Sequence, residues 1–544
     1  MALTSFEPAA YGPAALNNAT PPFARAQPLR TLSGGGIVSP VLWAAAQLRT
    51  RQWDIRARDS RRIQLDTLLS HVRHAQDTEF GRAHGFSEIR SYGDYKKRVP
   101  LRPYAEFEPY LERMRAGARN VLYPGLMPYF GQSSGSSSTE KKNKFLPISM
   151  AQIRHQQKAG FDLLARYLVA AKDRDYARGY MLFLFPPGTI KYEGEVGIAS
   201  NPAVMLNHLP GPSRLMTVPK APIRDIEDYD TKLTAIAEAY LDYDVRGISG
   251  TTCWFSLLFD RVLQVAQSRG RKVSTISEVW PNLNVMFGGG IHAAPYLPVI
   301  DERMGKKTYL VDNYNATEGG VFAASDLVEK NAMISLPDRG VFFEFVPREQ
   351  HGRPDADRIP LSDVEVDKDY SVVLTTASGL FSYYIGDFVR FASVRPHYLQ
   401  FAGRASGMLS VTQELTSYIE IENACHETVG KVPCRIVDFA ASAEVGVDNT
   451  AKGRYVLFVE FEKDPANLDS FLHTFDQELC GQNRVYREHR KSDVAILPPR
   501  LVHLPKGVTR KFMQAIGQNS LQNKFPRIID ERRRDLLESL AGAA

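Results

Sequence analysis

The chain has 544 residues, with 67 Lys and Arg against 61 Asp and Glu, 44% hydrophobic and 24% charged. That length excludes a single small module, and the composition excludes collagen-like, mainly disordered and membrane-spanning chains. A net charge of +6 spread over the whole chain is too weak to make nucleic acid the main partner.

Cys253, Cys425, Cys434 and Cys480 are scattered, with no C-x-x-C pair, so neither a disulfide framework nor a structural zinc site is expected and a reduced, cytoplasmic chain is the default. The apolar run Met181 to Phe185, closed by Pro186-Pro187, falls far short of the ~18 residues that span a bilayer. No membrane partner and no secretory signal is expected, and a monomer is the default.

Residues 1–38, rich in Ala, Pro, Asn and Gly and ending near Ser33-Gly34-Gly35-Gly36, read as a flexible N-terminal arm. Trp43 to His74 turns helical, with Ile63, Leu65, Leu68, Leu69 and Val72 set among arginines. Leu233, Ile236, Ala237, Tyr240 and Leu241 follow helical spacing, and Trp254 to Val265 reads as a second, more apolar helix. Val341 to Val346 and Tyr370 to Thr376 read as strands. This alternation predicts a layered α/β architecture over 39–404. Beyond it, a helix begun by Leu415, Tyr418 and Ile419, another from Leu468, and strands at Arg435 to Phe439 and Tyr455 to Glu462 predict a small α+β domain over 405–544.

Four segments carry chemistry. Ser133-Ser134-Gly135-Ser136-Ser137, with Lys142 and Lys144 downstream, follows a strand-like stretch. Small hydroxylated residues and glycine let backbone N–H groups turn toward a polyphosphate, although a serine-rich surface loop has the same composition. In Tyr314-Asn315-Ala316-Thr317-Glu318-Gly319 an aromatic can stack on a purine, a threonine can donate to a phosphate and a glutamate can ligate Mg²⁺; a plain turn with a capping Thr accounts for them too. In Ile385-Gly386-Asp387-Phe388 an ionised carboxylate can accept both ribose hydroxyls, while in isolation the segment reads as a tight turn between two strands. Lys524-Phe525-Pro526-Arg527 offers a late lysine that can bring positive charge to a phosphate or remain solvated.

Taken in order, with Tyr95 to Leu101, Glu108 to Met114 and Phe401-Ala402-Gly403-Arg404, these motifs resemble the acyl-acid amido synthetases of the auxin-responsive GH-three family, adenylate-forming enzymes that join a carboxylic acid to an amino acid. The resemblance spans about Tyr95 to Asp530. It implies a large adenylation domain over 39–404, holding the ATP and acyl-acid sites, and a mobile C-terminal lid over 405–544. Ser133, Ser134, Gly135, Ser136 and Ser137 would then hold the ATP phosphates, with Lys144 in competition with Lys142 for the loop-lysine role. Tyr314 would stack on adenine, Thr317 would touch the α-phosphate, Glu318 would ligate Mg²⁺, and Asp387 would hold the ribose, with Arg404 beside the nucleotide. Thr317, Glu318 and Lys524 would be catalytic, Lys524 swinging in with the lid. The acyl pocket is expected between the Thr251 to Leu258 helix and Met181 to Gly197, with Trp254 and Phe255 nearby. Two rival readings stay open: an acyl-adenylate ligase with a coenzyme A or carrier-protein thiol acceptor, and a catalytically degenerate nucleotide-binding relative.

Overall fold

β-Branched and aromatic residues dominate Val341–Pro347 and Asp369–Thr376, which pair antiparallel at the heart of the largest sheet. The computed structural model describes residues 29–133, 144–289, 297–327, 332–353, 355–404, 407–409, 411, 416–445, 453–483, 486–487, 490, 496–518 and 524–542. Among them that sheet has eight strands, all antiparallel, with Asn313–Ala316 at one edge and Ile359–Pro360 at the other. Neighbouring strands in sequence can pair this way through short turns, which is why it assembles from 313–404 almost without excursions.

A second sheet is parallel and carries its strands in the order Thr217–Val218, Tyr180–Leu184, Val245–Gly250, Val285–Phe287 and Tyr309–Val311. Parallel strands need crossovers, and the helices Tyr229–Tyr240 and Cys253–Ser268 supply them. Their apolar faces (Leu233, Ile236, Ala237, Phe255, Leu258, Phe259 and Val262) close a core around Ile248 and Trp280. A four-stranded sheet joins Tyr129–Ser133 to Lys144–Ile148 and to Val196–Ala199. The long helix Met150–Ala171 lies between these layers and is capped by Ser149, whose hydroxyl accepts from Gln152 N.

Beyond Arg404 the chain builds a three-stranded sheet from Arg435–Val445, Gly453–Lys463 and Arg500–Leu504. One of its faces is packed by Ile421, Phe471, Phe475 and Leu479 and the other by Val508, Phe512, Phe525 and Leu537, so this unit has cores of its own. No helix among the described residues is long and apolar enough to cross a membrane.

The arm expected over 1–38 lies outside the described residues as far as 28. From there on the expectation needs correction, because Arg30 N donates to Asp242 O at 2.8 Å and the helix Gly35–Arg58 already starts at Gly35. Glycine permits that docking: a Cβ at Gly35 would stand 2.3 Å from Ala177 O.

The Gly35–Arg58 helix, the Met150–Ala171 helix and the turn at 337–340 meet at one buried carboxylate. Asp162 accepts from Arg49 Nε at 2.5 Å and from Arg339 Nε at 2.6 Å, with its side chain and that of Arg339 almost wholly covered. Removing the carboxylate takes one of two acidic partners from the buried Arg339 guanidinium, which keeps Asp338 at 2.8 Å, a change that costs about 1–3 kcal/mol. Asp162→Ala is therefore expected to shift the denaturant midpoint of the N-terminal unit strongly downward, as followed by tryptophan fluorescence; a midpoint within error of wild type would show that the cluster is dispensable.

Candidate active site

Tyr314 and Thr317 stand on a hairpin. Asn313–Ala316 pairs antiparallel with Gly320–Ser325, and Thr317-Glu318-Gly319 forms the turn, closed by Gly319 N donating to Ala316 O at 3.3 Å. Gly320 has φ +94°, and a Cβ there would meet Gln156 Cγ at 2.5 Å, so the hairpin lies tight against the Met150–Ala171 helix. One turn earlier on that helix, Gln152 Nε2 donates to Thr317 O at 2.9 Å. From the other side comes the strand Tyr129–Ser133, where a Cβ on Gly131 would stand 2.5 Å from Thr317 Cγ2. The strand that leads into the serine-rich segment and the threonine of the Y-N-A-T-E motif are thus in contact.

Ser133, the last residue of its strand, is in register with Lys144, the first of the next, so the two mark the base of the segment between them. The Lys144 ammonium lies 5.2 Å from the Tyr104 ring centroid and borders the cleft. Ser134, Gly135, Ser136, Ser137 and Lys142 lie outside the described residues.

Asp387 is not in a tight turn between two strands, as the segment alone suggests. It lies inside the single strand Tyr383–Val394, at an irregularity in the pairing: Ser371 opposes Phe388 and Val373 opposes Tyr384, leaving 385–387 across from Val372 alone. Gly386 takes φ +85° there, the conformation such a bulge demands. The bulge turns Asp387 inward, where Tyr314 Oη donates to Asp387 Oδ2 at 2.8 Å with both residues buried. Arg404 is the register partner of Asp387 on the next strand.

The Tyr314 ring packs edge-on to Phe322 at 5.0 Å and against Phe401 at 5.5 Å, and Phe401 in turn contacts Tyr418 at the start of the C-terminal unit. Glu318, partly exposed, accepts a hydrogen bond from the Tyr383 phenol. Burial, then the Glu318 carboxylate, push that phenol well above the usual tyrosine range, so it stays a donor.

These residues open onto one cleft of about 3590 Å³ between the large unit and the C-terminal unit, bordered by Gln132, Lys144, Thr317, Glu318, Gly386 and Lys524. The cleft reaches Gly386 but not the covered Asp387 carboxylate. Lys524 acts electrostatically on Asp312, whose pKa burial raises to about 6 against the opposing pull of Asn313 N–H and of the Lys524 charge. Among the described residues two ion pairs span the units, Arg435 Nη2 to Glu302 Oε2 at 2.9 Å and Arg510 Nη2 to Asp230 Oδ2 at 2.5 Å. All four side chains are well exposed, which makes each pair weak and salt-sensitive.

Both segments expected around the acyl pocket border the cleft, through Phe183, Phe185, Trp254 and Leu257. Phe255 is a correction: it is fully buried in the core of the parallel sheet, because the Cys253–Ser268 helix turns it away from its neighbour Trp254. Gln152 and Asp312 are residues around the site to which no motif pointed, and Tyr383 opens the glycine–aspartate segment without a role being read for it.

A Mg²⁺ ion fits this donor set only alongside further oxygen ligands that a bound molecule would have to bring. Glu318 offers one hard carboxylate at the cleft, and no group of three or more His, Cys, Asp or Glu among the described residues makes a metal cage.

Three models of one family match the chain: the GH3 family N-terminal domain over 54–237, the central domain over 334–404 and the C-terminal domain over 419–533. The chain is 24% identical over 573 residues to jasmonoyl–L-amino acid synthetase GH3.5 of Oryza sativa subsp. japonica, covering 90% of this chain and 96% of that protein. It is 25% identical over 272 residues to indole-3-acetic acid-amido synthetase GH3.3 of Arabidopsis thaliana, an alignment that spans under half of either protein, 47% and 45%. In structure it superposes on AtGH3.15 acyl acid amido synthetase in complex with 2,4-DB with a TM-score of 0.74 at 17% identity, covering 92% and 96% of the two chains. A 2-hydroxyisobutyryl-CoA ligase gives 0.57 at 16% identity, covering 88% and 91%. At these identities the structural likeness is one of fold, α/β with an appended C-terminal unit.

The Tyr314–Asp387 contact separates two contributions of one side chain. Tyr314→Phe keeps the ring and loses the hydrogen bond, and Tyr314→Ala removes both; were the ring the surface on which ATP stacks, the first would raise the KM for ATP by about fivefold and the second by more than about fiftyfold. Equal effects in steady-state pyrophosphate release would mean that the ring does not touch the nucleotide.

Proposed function

The chain belongs to the GH3 family and is an amide-forming ligase, and from that premise we propose that it uses ATP to activate a carboxylic acid as an acyl-adenylate and transfers the acyl group to an amino acid or other amine. The observation that supports this reading most is the 2.8 Å hydrogen bond between Tyr314 and Asp387. It brings two motifs 73 residues apart to one wall, with Thr317 and Glu318 on the same hairpin and Lys524 bordering the same cleft.

In the first step an oxygen of the substrate carboxylate attacks the α-phosphorus of ATP, and the bond to pyrophosphate breaks. Little of this chemistry is covalent work for the protein; the side chains position the reactants and meet developing charge. Tyr314 stacks on the adenine, Asp387 takes the ribose hydroxyls, and Thr317 donates to the α-phosphate with its backbone fixed by Gln152. Ser133 to Ser137 and Lys144 hold the outer phosphates. Glu318, which accepts from the Tyr383 phenol, would hold a Mg²⁺ together with the phosphates, and that ion would supply charge neutralisation there. Lys524 supplies the mobile positive charge.

In the second step the amine nitrogen attacks the acyl carbon, the bond to AMP breaks and the amide forms. Water in the same place would destroy the mixed anhydride, which gives the C-terminal unit a reason to cover the cleft. In the described state Tyr418 sits on Phe401 and Asp387 is covered, so the nucleotide enters when this unit lifts. The two exposed ion pairs across the cleft are weak enough to allow that motion.

A pyrophosphate-release screen that crosses carboxylic acids with the twenty amino acids, with products identified by mass, tests the reading. Acid-dependent release and an amide product are expected. Thioester formation with coenzyme A and no amide would assign the thiol acceptor instead, and release no faster with acids than without would mark a degenerate relative. Lys524→Ala should lower acid-dependent pyrophosphate release by at least about a hundredfold with the melting temperature unchanged; full turnover would remove that lysine from the mechanism.

A further inference from the structure

Resting on the function just proposed, the carboxylate of the acid has to lie beside Thr317 to reach the α-phosphate. Whatever borders the cleft one step beyond Thr317 therefore meets the part of the acid next to its carboxylate. The Met150–Ala171 helix acts as a ruler for that step, since Gln152 holds the Thr317 carbonyl and Gln156, about 6 Å further along the axis, packs on Gly320.

Gln156 is paired with Asn201, the first residue of the helix Asn201–Asn207, by two reciprocal amide bonds: Gln156 Nε2 donates to Asn201 Oδ1 at 3.2 Å and Asn201 Nδ2 donates to Gln156 Oε1 at 3.1 Å. Both residues border the cleft; Gln156 is 8% exposed and Asn201 partly so. A carboxamide has two N–H donors and two acceptor lone pairs. The reciprocal pair uses one donor and one acceptor of each, so it presents further donor and acceptor capacity in a fixed orientation. Beyond it the same two helices, and the loop after the second, turn apolar, with Phe161, Leu164, Met205 and Leu209 along the cleft.

We infer that the Gln156–Asn201 amide pair is a recognition element for the acyl acid, selecting acids that carry a hydroxyl or carbonyl group close to the carboxylate, with an apolar remainder, over the same acids without that group. A hydrocarbon next to the carboxylate would cover the two amides without meeting their hydrogen bonds, and burying polar groups unmet is what makes such a site reject the analogue. Structural glue between two helices would need the mutual pairing but would leave acid preference untouched.

The test measures kcat/KM for pyrophosphate release on matched pairs of acids, aromatic and aliphatic, each with and without a hydroxyl on the carbon next to the carboxylate or one carbon further. Wild type is expected to prefer the hydroxylated member by at least about tenfold. Gln156→Met and, independently, Asn201→Ala should shrink the ratio to below about threefold. Because the ratio is internal to each preparation, a lower active fraction in either variant does not alter it. A wild-type ratio near one in every pair, or a ratio that survives in both variants, overturns the inference. Selective pyrophosphate release without any amide would uphold it and overturn the acceptor in the proposed function, since the ratio is read before transfer.

Discussion

One hydrogen bond fixes the layout of the candidate site. Tyr314 lies on the edge strand of the eight-stranded sheet and Asp387 on a central one, and the 2.8 Å contact between their side chains joins the two across the sheet's inner surface. A buried carboxylate needs a donor, and the phenol supplies it. The hairpin turn that follows Tyr314 sets Thr317 against the strand carrying Gly131, where a side chain in place of glycine would collide with Thr317 Cγ2. The helix Met150–Ala171 then locks the hairpin from behind through Gln152. A residue out of place at the bulge of Gly386 would propagate to every one of these contacts.

Much of this was legible before any coordinates. Tyr314, Thr317 and Glu318 fall within five residues, so their placement on one hairpin follows from local chain geometry, and the strands Val341–Pro347 and Asp369–Thr376 announce themselves by composition. The Asp387 segment differs in conformation from what its local pattern suggests. A glycine before an aspartate reads as a turn, while the bulge that actually holds it depends on the register with Asp369–Thr376, a pairing that no local pattern specifies. Phe255 was misplaced for a related reason: the Cys253–Ser268 helix is apolar over so much of its circumference that spacing does not tell which of Trp254 and Phe255 turns inward. Gln152, Gln156 and Asn201 gave no signal, because ordinary amides on helices become part of a site only when the fold sets them beside the hairpin.

The C-terminal unit is built as a body in its own right, with a core on each face of its sheet. Among the described residues its contacts with the rest of the protein include Tyr418 against Phe401, Ser417 close to Gly403, and two exposed ion pairs. Strong internal packing and weak contact with the neighbour suit a lid that moves as a unit. Under the proposed function, such a lid would admit the nucleotide to the covered Asp387 and would exclude water from the anhydride once closed.

A crystal structure with a non-hydrolysable acyl-adenylate analogue, the sulfamoyl ester of adenosine carrying an accepted acid, tests the central claim most directly. The adenosine should lie with its base against Tyr314, its ribose hydroxyls on Asp387 and its sulfamoyl group within hydrogen-bonding reach of Thr317, with the acyl chain running past Gln156. An analogue bound elsewhere, leaving the Tyr314–Asp387 wall untouched, would contradict the account.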